Sequence, residues 1–595
     1  MDYSIKIGGE AGQGIVTIGD TLAKVFSRKG YHVFTHQDYE SRVRGGHNFF
    51  QIRLSDIPVM ASRDKIDILV AFDKAGIQLH EKELTGSGIV IYDSSALKET
   101  HDKPNFLDIP FANLALERGG DKIMANTVAI GAVLGMLGVD MDILFEIIGD
   151  TFKKKGEDVI KGNKDSATAG KEYAMTHCAR CSFSPAPQSG PKMLINGSEA
   201  IALGAIASGC KFYSAYPMTP STGIMNYIAG KEKEYGIIVE QAEDEIAAIN
   251  MALGASFAGV RAMTGSAGGG FALMVEGLSL AAMTETPVVI ALGQRPAPAT
   301  GLPTRTEQGD LSFALYTSHG EFPRIVFAPG TPEQAFYLTN KAFDLAEKYQ
   351  IPAIVIFDQY LADTQWTYEG LDLERIRYTD YRLRGEALQK LPEYKRYVFT
   401  ESGVSPLAVP GDSKHLVVAD SDEHDEDGHL IEDAETRVKM MDKRLFKKLP
   451  LIVSEIEPPV LYGSSSPETV IVGWGSNYGL MKEAVDILSK EKSIAMLHFS
   501  EVYPFPHPPL NPLPSREGRQ TVPSPLAGEG QGEGGFMSTL CNAKTAICIE
   551  NNATGQFARL MRAETGYEFK NRINRYDGRP FLLEELVGKI KGIIG

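Results

Sequence analysis

The side chains best placed to do chemistry fall in a few short stretches. Tyr216-Pro-Met-Thr-Pro-Ser221 ends an aromatic run and sets the Thr219 hydroxyl directly before Pro220. Thr at an N-cap, followed by Pro at the first helical position, satisfies an open amide and wastes none, so this run reads as a capped helix start. Val239-Glu-Gln-Ala-Glu-Asp-Glu245 brings Glu245 to the head of an Ala/Gly-rich segment, where the helix dipole favours a carboxylate. Glu243, two residues earlier, is the alternative acid. Thr264-Gly-Ser-Ala-Gly-Gly-Gly270 carries too little side chain to fill a core and reads as a loop. Gly301-Leu-Pro-Thr-Arg-Thr-Glu-Gln-Gly-Asp-Leu311 contains Thr304 and Arg305. A guanidinium can hold a carboxylate through two parallel hydrogen bonds.

A second group of residues lies near the amino end. Gly8-Gly-Glu-Ala-Gly-Gln-Gly14 follows a predicted strand and opens a predicted helix over 15–29, the geometry of a phosphate cradle at a helix N-terminus. Gly9, Gly12 and Gly14 do not follow the dinucleotide order G-x-G-x-x-G, and His36 and Gln37 stand where a ribose-binding acid belongs, which argues against a nicotinamide site. Arg42 and Arg44 beside Gly45 and Gly46 make either an anion corner or a solvated hairpin. Cys178 and Cys181 have metal-ligand spacing, but zinc and iron–sulfur sites take four ligands, and Cys210, Cys541 and Cys548 are remote in sequence. The pair therefore reads as two unpaired thiols. The acidic run 420–429 lacks the glycine and glutamate positions of an EF-hand and reads as a hydrated loop.

Strands and helices must hold these residues. The central stretch alternates strand (211–216), helix, strand (236–240) and helix (246–258), and the apolar runs 286–293 and 352–358 have the character of buried parallel strands. Further strands are expected at 48–54, 66–72, 88–92, 469–474, 494–499 and 545–549. The fold class is α/β, with several doubly wound, mostly parallel sheets. From 151 to 191 the composition turns to Lys, Gly, Ser, Ala and Pro and reads as a linker, whereas 123–139 is apolar but short, a buried helix rather than a membrane span. Prolines and Gly-Glu pairs crowd 506–535, which reads as a low-complexity insertion that cannot form core.

The chain has 595 residues and a formal net charge of −16, which argues against nucleic acid and anionic membrane as partners. Five cysteines leave no room for a disulfide framework and, with a strand starting directly after Met1, lead to an expected cytoplasmic location.

The stretch from 193 to 320 closely resembles the pyrimidine-binding domain of 2-oxoacid:ferredoxin oxidoreductases, a thiamine diphosphate family, and the resemblance extends over most of the chain. It implies a gamma-type Rossmann-like domain over 1–175, a linker over 176–192, the pyrimidine domain over 193–385, a connecting segment with the acidic loop over 386–460, and a transketolase C-terminal-like domain over 461–595. By that resemblance Tyr216, Pro217 and Thr219 border the reacting carbon. Glu245 bonds the aminopyrimidine, Gly268 and Gly269 line the cofactor, and Thr304 and Arg305 face the substrate. Gly9, Gly12, Gly14, Arg42 and Arg44 become candidates for binding coenzyme A or another anion.

The family reaction is the oxidative decarboxylation of a 2-oxoacid with coenzyme A, giving acyl-CoA, carbon dioxide and reduced ferredoxin. Neither a Gly-Asp-Gly…Asn signature nor a four-cysteine cluster is present, so Mg2+ and a 4Fe–4S cluster are expected on a beta subunit. The chain then reads as a fused gamma–alpha subunit in a dimer of alpha–beta heterodimers, with 2-oxoglutarate favoured over pyruvate or branched 2-oxoacids. The rival readings are a non-catalytic structural or regulatory subunit, and a nicotinamide dehydrogenase resting on Gly8 to Gly14.

Overall fold

The computed structural model describes all residues except 42–44, 179, 180, 182, 184, 187, 189 and 507–534. The chain divides into two compact units. One comprises Met1–Asn196, Asp363–Leu371 and Leu582–Gly588, the other Gly197–Ala362, Asp372–Phe581 and Lys589–Gly595.

The first unit is built on an eight-stranded sheet whose central strand, Asp2–Ala11, is parallel to Ile66–Ala71 on one side and antiparallel to Gly45–Ser55 on the other. Leu84–Tyr92 and Phe106–Asp108 extend the parallel half. His32–Asp38, Gln365–Tyr368 and Met193–Asn196 extend the antiparallel half, so this sheet is mixed. The helix Ile15–Arg28 buries Ile15, Ile18, Leu22, Val25 and Phe26, a stripe of three- and four-residue spacing against the sheet.

A further helix corrects the linker reading of 151–191. Glu157–His177 is a full helix packed on Ala125–Met136, the apolar segment expected to be buried. Glycine permits that contact: a Cβ on Gly131 would stand 1.9 Å from the Ala167 carbonyl oxygen, and one on Gly170 would stand 2.0 Å from that of Val128. Polar composition concealed the helix because its small residues face a neighbouring backbone rather than an oily core. Met193–Asn196, which sequence grouped with the following domain, pairs within the first sheet. Cys178 and Cys181 form a disulfide, so the expectation of unpaired thiols is wrong. No described helix is long and apolar enough to cross a membrane.

The second unit holds a seven-stranded sheet in the order Glu501–Tyr503, Ile325–Phe327, Pro352–Asp358, Val288–Gln294, Arg261–Ala267, Cys210–Ala215, Ile238–Gln241. It is parallel throughout except for Glu501–Tyr503. The strands Val288–Gln294 and Pro352–Asp358 are buried along their whole length, as both-face coverage by helices requires. A five-stranded sheet follows, centred on Thr469–Trp474 between Ile494–Phe499 and Thr545–Glu550. Side chains from both sheets of this unit, among them Leu292, Ile354, Trp474 and Phe499, share one apolar core.

The polar segment after Arg375 is anchored by charge. Glu285 is fully enclosed with Lys443, at 2.5 Å, and Lys448, and Arg396 donates to the Glu285 carbonyl at 2.7 Å. In the acidic run, Asp425 accepts from the amides of Asp427 and His429, while Glu423 pairs with Arg437 and Arg444.

Candidate functional site

In a parallel sheet, ligand-binding groups gather where the carboxyl ends of the strands open into loops. In the second unit, Tyr216 and Pro217 follow the strand Cys210–Ala215, and Gly268 follows Arg261–Ala267. Arg295 follows Val288–Gln294.

Glu245 is the first residue of the helix Glu245–Phe257 and is 2% exposed. Asp244 caps that helix, accepting from the Ala247 amide at 2.7 Å, which spares Glu245 the capping task. Ser266 Oγ donates to Glu245 Oε1 at 2.8 Å and lies 3.7 Å from Met218 Sδ, joining the Glu245 helix, a strand end and the 216–221 stretch. Oε2 of Glu245 takes no hydrogen bond among the described residues. Gly270 makes this packing possible, since a Cβ there would lie 2.0 Å from Glu245 Oε1 and 2.1 Å from Ser266 Oγ.

Two local readings need correction. The helix after Pro220 runs Thr222–Tyr235 with Ser221 at its N-cap position, so Thr219 is not a cap and Pro220 is not in the first turn. Instead the Thr219 carbonyl accepts from Arg295 Nη1 at 3.0 Å, and its hydroxyl has no partner among the described residues. The run 264–270 is not a loop. Its first half completes the buried strand Arg261–Ala267, and Gly268–Phe271 is a helical turn. Val288–Gln294 and Cys210–Ala215 flank that strand, and small residues suit such crowding.

Thr304 and Arg305 lie on the segment between Val288–Gln294 and the short helix Leu311–Tyr316. The Arg305 amide donates to Leu302 at 3.1 Å, and Gly578 backs the turn so closely that a Cβ would stand 3.2 Å from that of Arg305. Gln308 clamps the segment: its Nε2 donates to the Trp474 carbonyl at 2.9 Å, and its Oε1 accepts from the Asn551 amide at 3.0 Å. The contacts seen here bring Glu245, Ser266, Met218 and the glycine turn together, join Thr219 to Arg295, and bind Arg305 to Leu302 and Gly578.

Sequence reasoning missed Ser266, Arg295, Asp310 and Asp358. Asp310 is buried with its carboxylate against the glycine turn, 2.5 Å from where a Gly268 Cβ would stand. Burial pushes it up to about 6, against the pull of Arg295. Asp358 at the end of Pro352–Asp358 is raised to about 6 by burial, although the Leu361 amide, at 2.9 Å, and Ser476 Oγ both donate to it. A polar residue ending a strand that reads as buried was the available signal.

In the first unit, the glycine run is half strand: Gly8 and Gly9 belong to Asp2–Ala11, and Gly12 and Gly14 turn with φ of 94° and 77°. Gly14 heads the helix Ile15–Arg28 with no side-chain cap, leaving the amides of its first turn open. A cleft of about 270 Å³ lies beside it, lined by Gly12, Gly14, Thr17 and Asn48 and also by the acids Glu10 and Asp38. Arg42 and Arg44 lie outside the described residues.

Residues 4–173 match the family model described as pyruvate ferredoxin/flavodoxin oxidoreductase, and 203–443 match its thiamine diphosphate-binding model. The chain is 33% identical to the alpha subunit of a 2-oxoacid:ferredoxin oxidoreductase from a Sulfolobus species, covering 98% of this chain and 96% of that one. It is 35% identical to the 2-oxoglutarate synthase subunit KorA of Archaeoglobus fulgidus, over 56% of this chain and 88% of that protein. A solved structure, the 2-oxoglutarate:ferredoxin oxidoreductase of Magnetococcus marinus with 2-oxoglutarate, coenzyme A and succinyl-CoA bound, superposes with a TM-score of 0.88 at 30% identity and covers both chains completely.

Proposed function

The chain belongs to the 2-oxoacid:ferredoxin oxidoreductase family as an alpha subunit, and on that premise we propose that it holds the pyrimidine half of a thiamine diphosphate site, completed by a beta subunit. The observation that carries this reading is Glu245. It is a buried carboxylate with one oxygen fixed by Ser266 and the other unclaimed among the described residues, and it sits in a space kept open by Gly270. That donor set fits an aminopyrimidine, whose ring nitrogen can share a proton with the free oxygen.

When bound, the cofactor supplies a carbon nucleophile for the 2-oxo group of the substrate. The protein's own contribution is positional. Glu245 would hold and exchange a proton at the ring, the Thr219 hydroxyl, unpartnered among the described residues, would donate toward the substrate, and Arg305 would pair with the substrate carboxylate. Tyr216 and Pro217 would border the reacting carbon, and Gly268 and Gly269 would let the ring approach. Ile246 and Met251, on the helix that carries Glu245, are 49% and 40% exposed. An apolar outer face beside a cofactor site suits coverage by a partner chain, here a beta subunit supplying Mg2+ and the 4Fe–4S cluster, in a dimer of heterodimers.

2-Oxoglutarate is the proposed substrate, on the similarity to the Archaeoglobus and Magnetococcus proteins. Coenzyme A binding at Gly9, Gly12 and Gly14 is supported by the open helix end, with Glu10 and Asp38 opposing an anion there.

Turnover of the reconstituted complex across a panel of 2-oxoacids, with ferredoxin as acceptor, tests the substrate. Glu245→Ala tests the site. Its turnover should be lost at saturating thiamine diphosphate, and retained turnover would favour the non-catalytic subunit reading. Arg305→Ala should cut kcat/KM by the equivalent of about 2–3 kcal/mol, the worth of a charged hydrogen-bonded contact. An unchanged value for every acid would remove Arg305 from the site.

A further inference from the structure

In the five-stranded sheet, Ile494–Phe499, Thr469–Trp474, Thr545–Glu550 and Asn571–Asn574 run parallel. The chain leaves Thr469–Trp474 to one side and returns on the other, so the strand order reverses there. Parallel sheets open a crevice at such a point, beyond the carboxyl ends of the strands, and ligands bind in it. Here the crevice takes up the segment 306–312 of the same chain. The Gln308 side chain is fully buried, its Nε2 donating to the Trp474 carbonyl at 2.9 Å. Its Oε1 accepts from Asn477 Nδ2 at 3.1 Å and from the Asn551 amide at 3.0 Å. The Gln308 amide donates to the Asn551 carbonyl at 2.7 Å, and its carbonyl accepts from Asn552 Nδ2 at 3.1 Å. Gln556 holds the next turn, donating to the Gly309 carbonyl at 2.6 Å and accepting from the Ser312 amide at 2.8 Å. The Thr306 amide donates to the Gly578 carbonyl at 3.2 Å.

The receiving loops are themselves fixed. Buried Glu550 accepts from Asn552 Nδ2 at 2.9 Å and from the amides of Phe557 and Ala558 at 2.8 and 3.1 Å, which sets Asn552 and the start of the helix Gln556–Thr565. His498 Nε2 donates to the Gly475 carbonyl at 2.8 Å. Gly475 turns with a φ of 57°, and a Cβ on it would stand 2.8 Å from Gln308 Nε2.

We propose that this strand-end crevice is the seat of the substrate-facing segment, and that Gln308 is the positioning residue that locks the segment into it. Thr304 and Arg305 lie just ahead of Gln308 in the chain, and the inference rests on the reading of both as facing the 2-oxoacid. A guanidinium that must meet a carboxylate with two prongs depends on where its backbone is held, because displacement by about 1 Å can cost on the order of 100-fold in rate. Every group bonded to Gln308 is an uncharged amide or carbonyl, so its hold does not titrate. The titratable groups behind the seat are Glu550, reached through Asn552, and His498, reached through Gly475, which burial pushes down to about 4. Gln308→Glu puts a titratable group into the seat at nearly unchanged shape. Protonated, its carboxyl can donate to the Trp474 carbonyl as the amide does; ionised, it sets one oxygen against another.

The test uses the reconstituted complex with its beta subunit and compares Gln308→Glu, Gln556→Met and Arg305→Ala with wild type from about pH 6 to pH 8. The readings are kcat, the KM for the preferred 2-oxoacid, thiamine diphosphate affinity and Tm. At about pH 8, Gln308→Glu should raise the KM for the 2-oxoacid about 10-fold, the effect of losing one buried hydrogen bond and facing two oxygens, while cofactor affinity stays within about two-fold. That deficit should shrink toward pH 6 as the carboxyl takes up its proton. Gln556→Met should raise the same KM about three-fold at every pH, and it carries the test alone should Gln308→Glu fail to fold. A KM within about two-fold of wild type for both variants, with Arg305→Ala impaired, would overturn the seat and leave the substrate reading intact. A Gln308→Glu deficit that does not change with pH would overturn it too. So would a loss of kcat and cofactor affinity that tracks Tm with KM unmoved, the mark of a merely structural clamp. An unimpaired Arg305→Ala would instead sink the substrate reading on which the seat depends.

Discussion

Gly269 and Gly270 are neighbours in sequence and should respond to the same substitution in opposite ways. In Gly270→Ala the new methyl would stand 2.0 Å from Glu245 Oε1, 2.1 Å from Ser266 Oγ and 2.5 Å from Glu245 Cδ. Van der Waals contact needs well over 3 Å, so the carboxylate must swing away and abandon its 2.8 Å bond to Ser266. Neither group has anywhere to go, Glu245 being 2% and Ser266 1% exposed. Overpacking costs about 1–3 kcal/mol, and a lost hydrogen bond to a buried charge about 1.5–3, so roughly 3–5 kcal/mol of stability should disappear. At Gly269 the nearest atom to an added methyl, the Ala299 carbonyl oxygen, is 3.9 Å away, and no positive φ forbids alanine. Gly269→Ala should therefore leave apo stability within about 0.5 kcal/mol of wild type, or improve it slightly through helix propensity. The assay is urea unfolding of the two variants without cofactor, followed by thiamine diphosphate titration of each in the reconstituted complex. Gly269→Ala should weaken only the second measurement. Equal stability of the two variants would refute the packing argument, and unchanged cofactor affinity for Gly269→Ala would remove that residue from the cofactor contact.

Other outcomes follow from buried charge and from chain closure. Glu285→Gln should destabilise by about 3–5 kcal/mol in urea, because it strands Lys443 and Lys448 inside the protein. Asp358, raised to about 6 against an ordinary 3.8, binds its proton more tightly in the folded state. Its stabilising contribution is full below about pH 4 and is lost as pH rises through 6. Asp358→Asn should therefore gain up to about 3 kcal/mol relative to wild type between pH 4 and pH 8, and a pH-independent difference would contradict this. Replacing 506–535, of which 507–534 lie outside the described residues, by a short Gly/Ser turn should change stability by about 1 kcal/mol or less, since closure entropy varies slowly with length. The flanking rings of Phe505 and Phe536 already sit 6.2 Å apart, so a short turn spans the gap. Loss of assembly with the beta subunit on that deletion would make the segment a docking element.

The sequence alone determined much of this protein, because the relevant signals are local. Continuous apolar runs mark strands buried on both faces, and Val288–Gln294 and Pro352–Asp358 lie where such runs stand. Glu245 was legible as the head of an Ala/Gly helix, and the Tyr-Pro-Met-Thr-Pro and Thr-Arg motifs were long enough to indicate the family. What local signals could not supply was pairing. Thr219 has the chemistry of an N-cap, but the backbone turns two residues later, and its carbonyl is taken by an arginine 76 positions away. Glu157–His177 has the composition of a linker, yet its small residues let it press against another helix. The disulfide between Cys178 and Cys181 depends on how the chain leaves that helix, which spacing does not reveal. Ser266, Arg295 and Asp310 are single polar residues with no periodicity to announce them. They meet Glu245, Thr219 and Gly268 only because the order of strands in a parallel sheet sets distant strand ends side by side, and that order is a property of the tertiary fold.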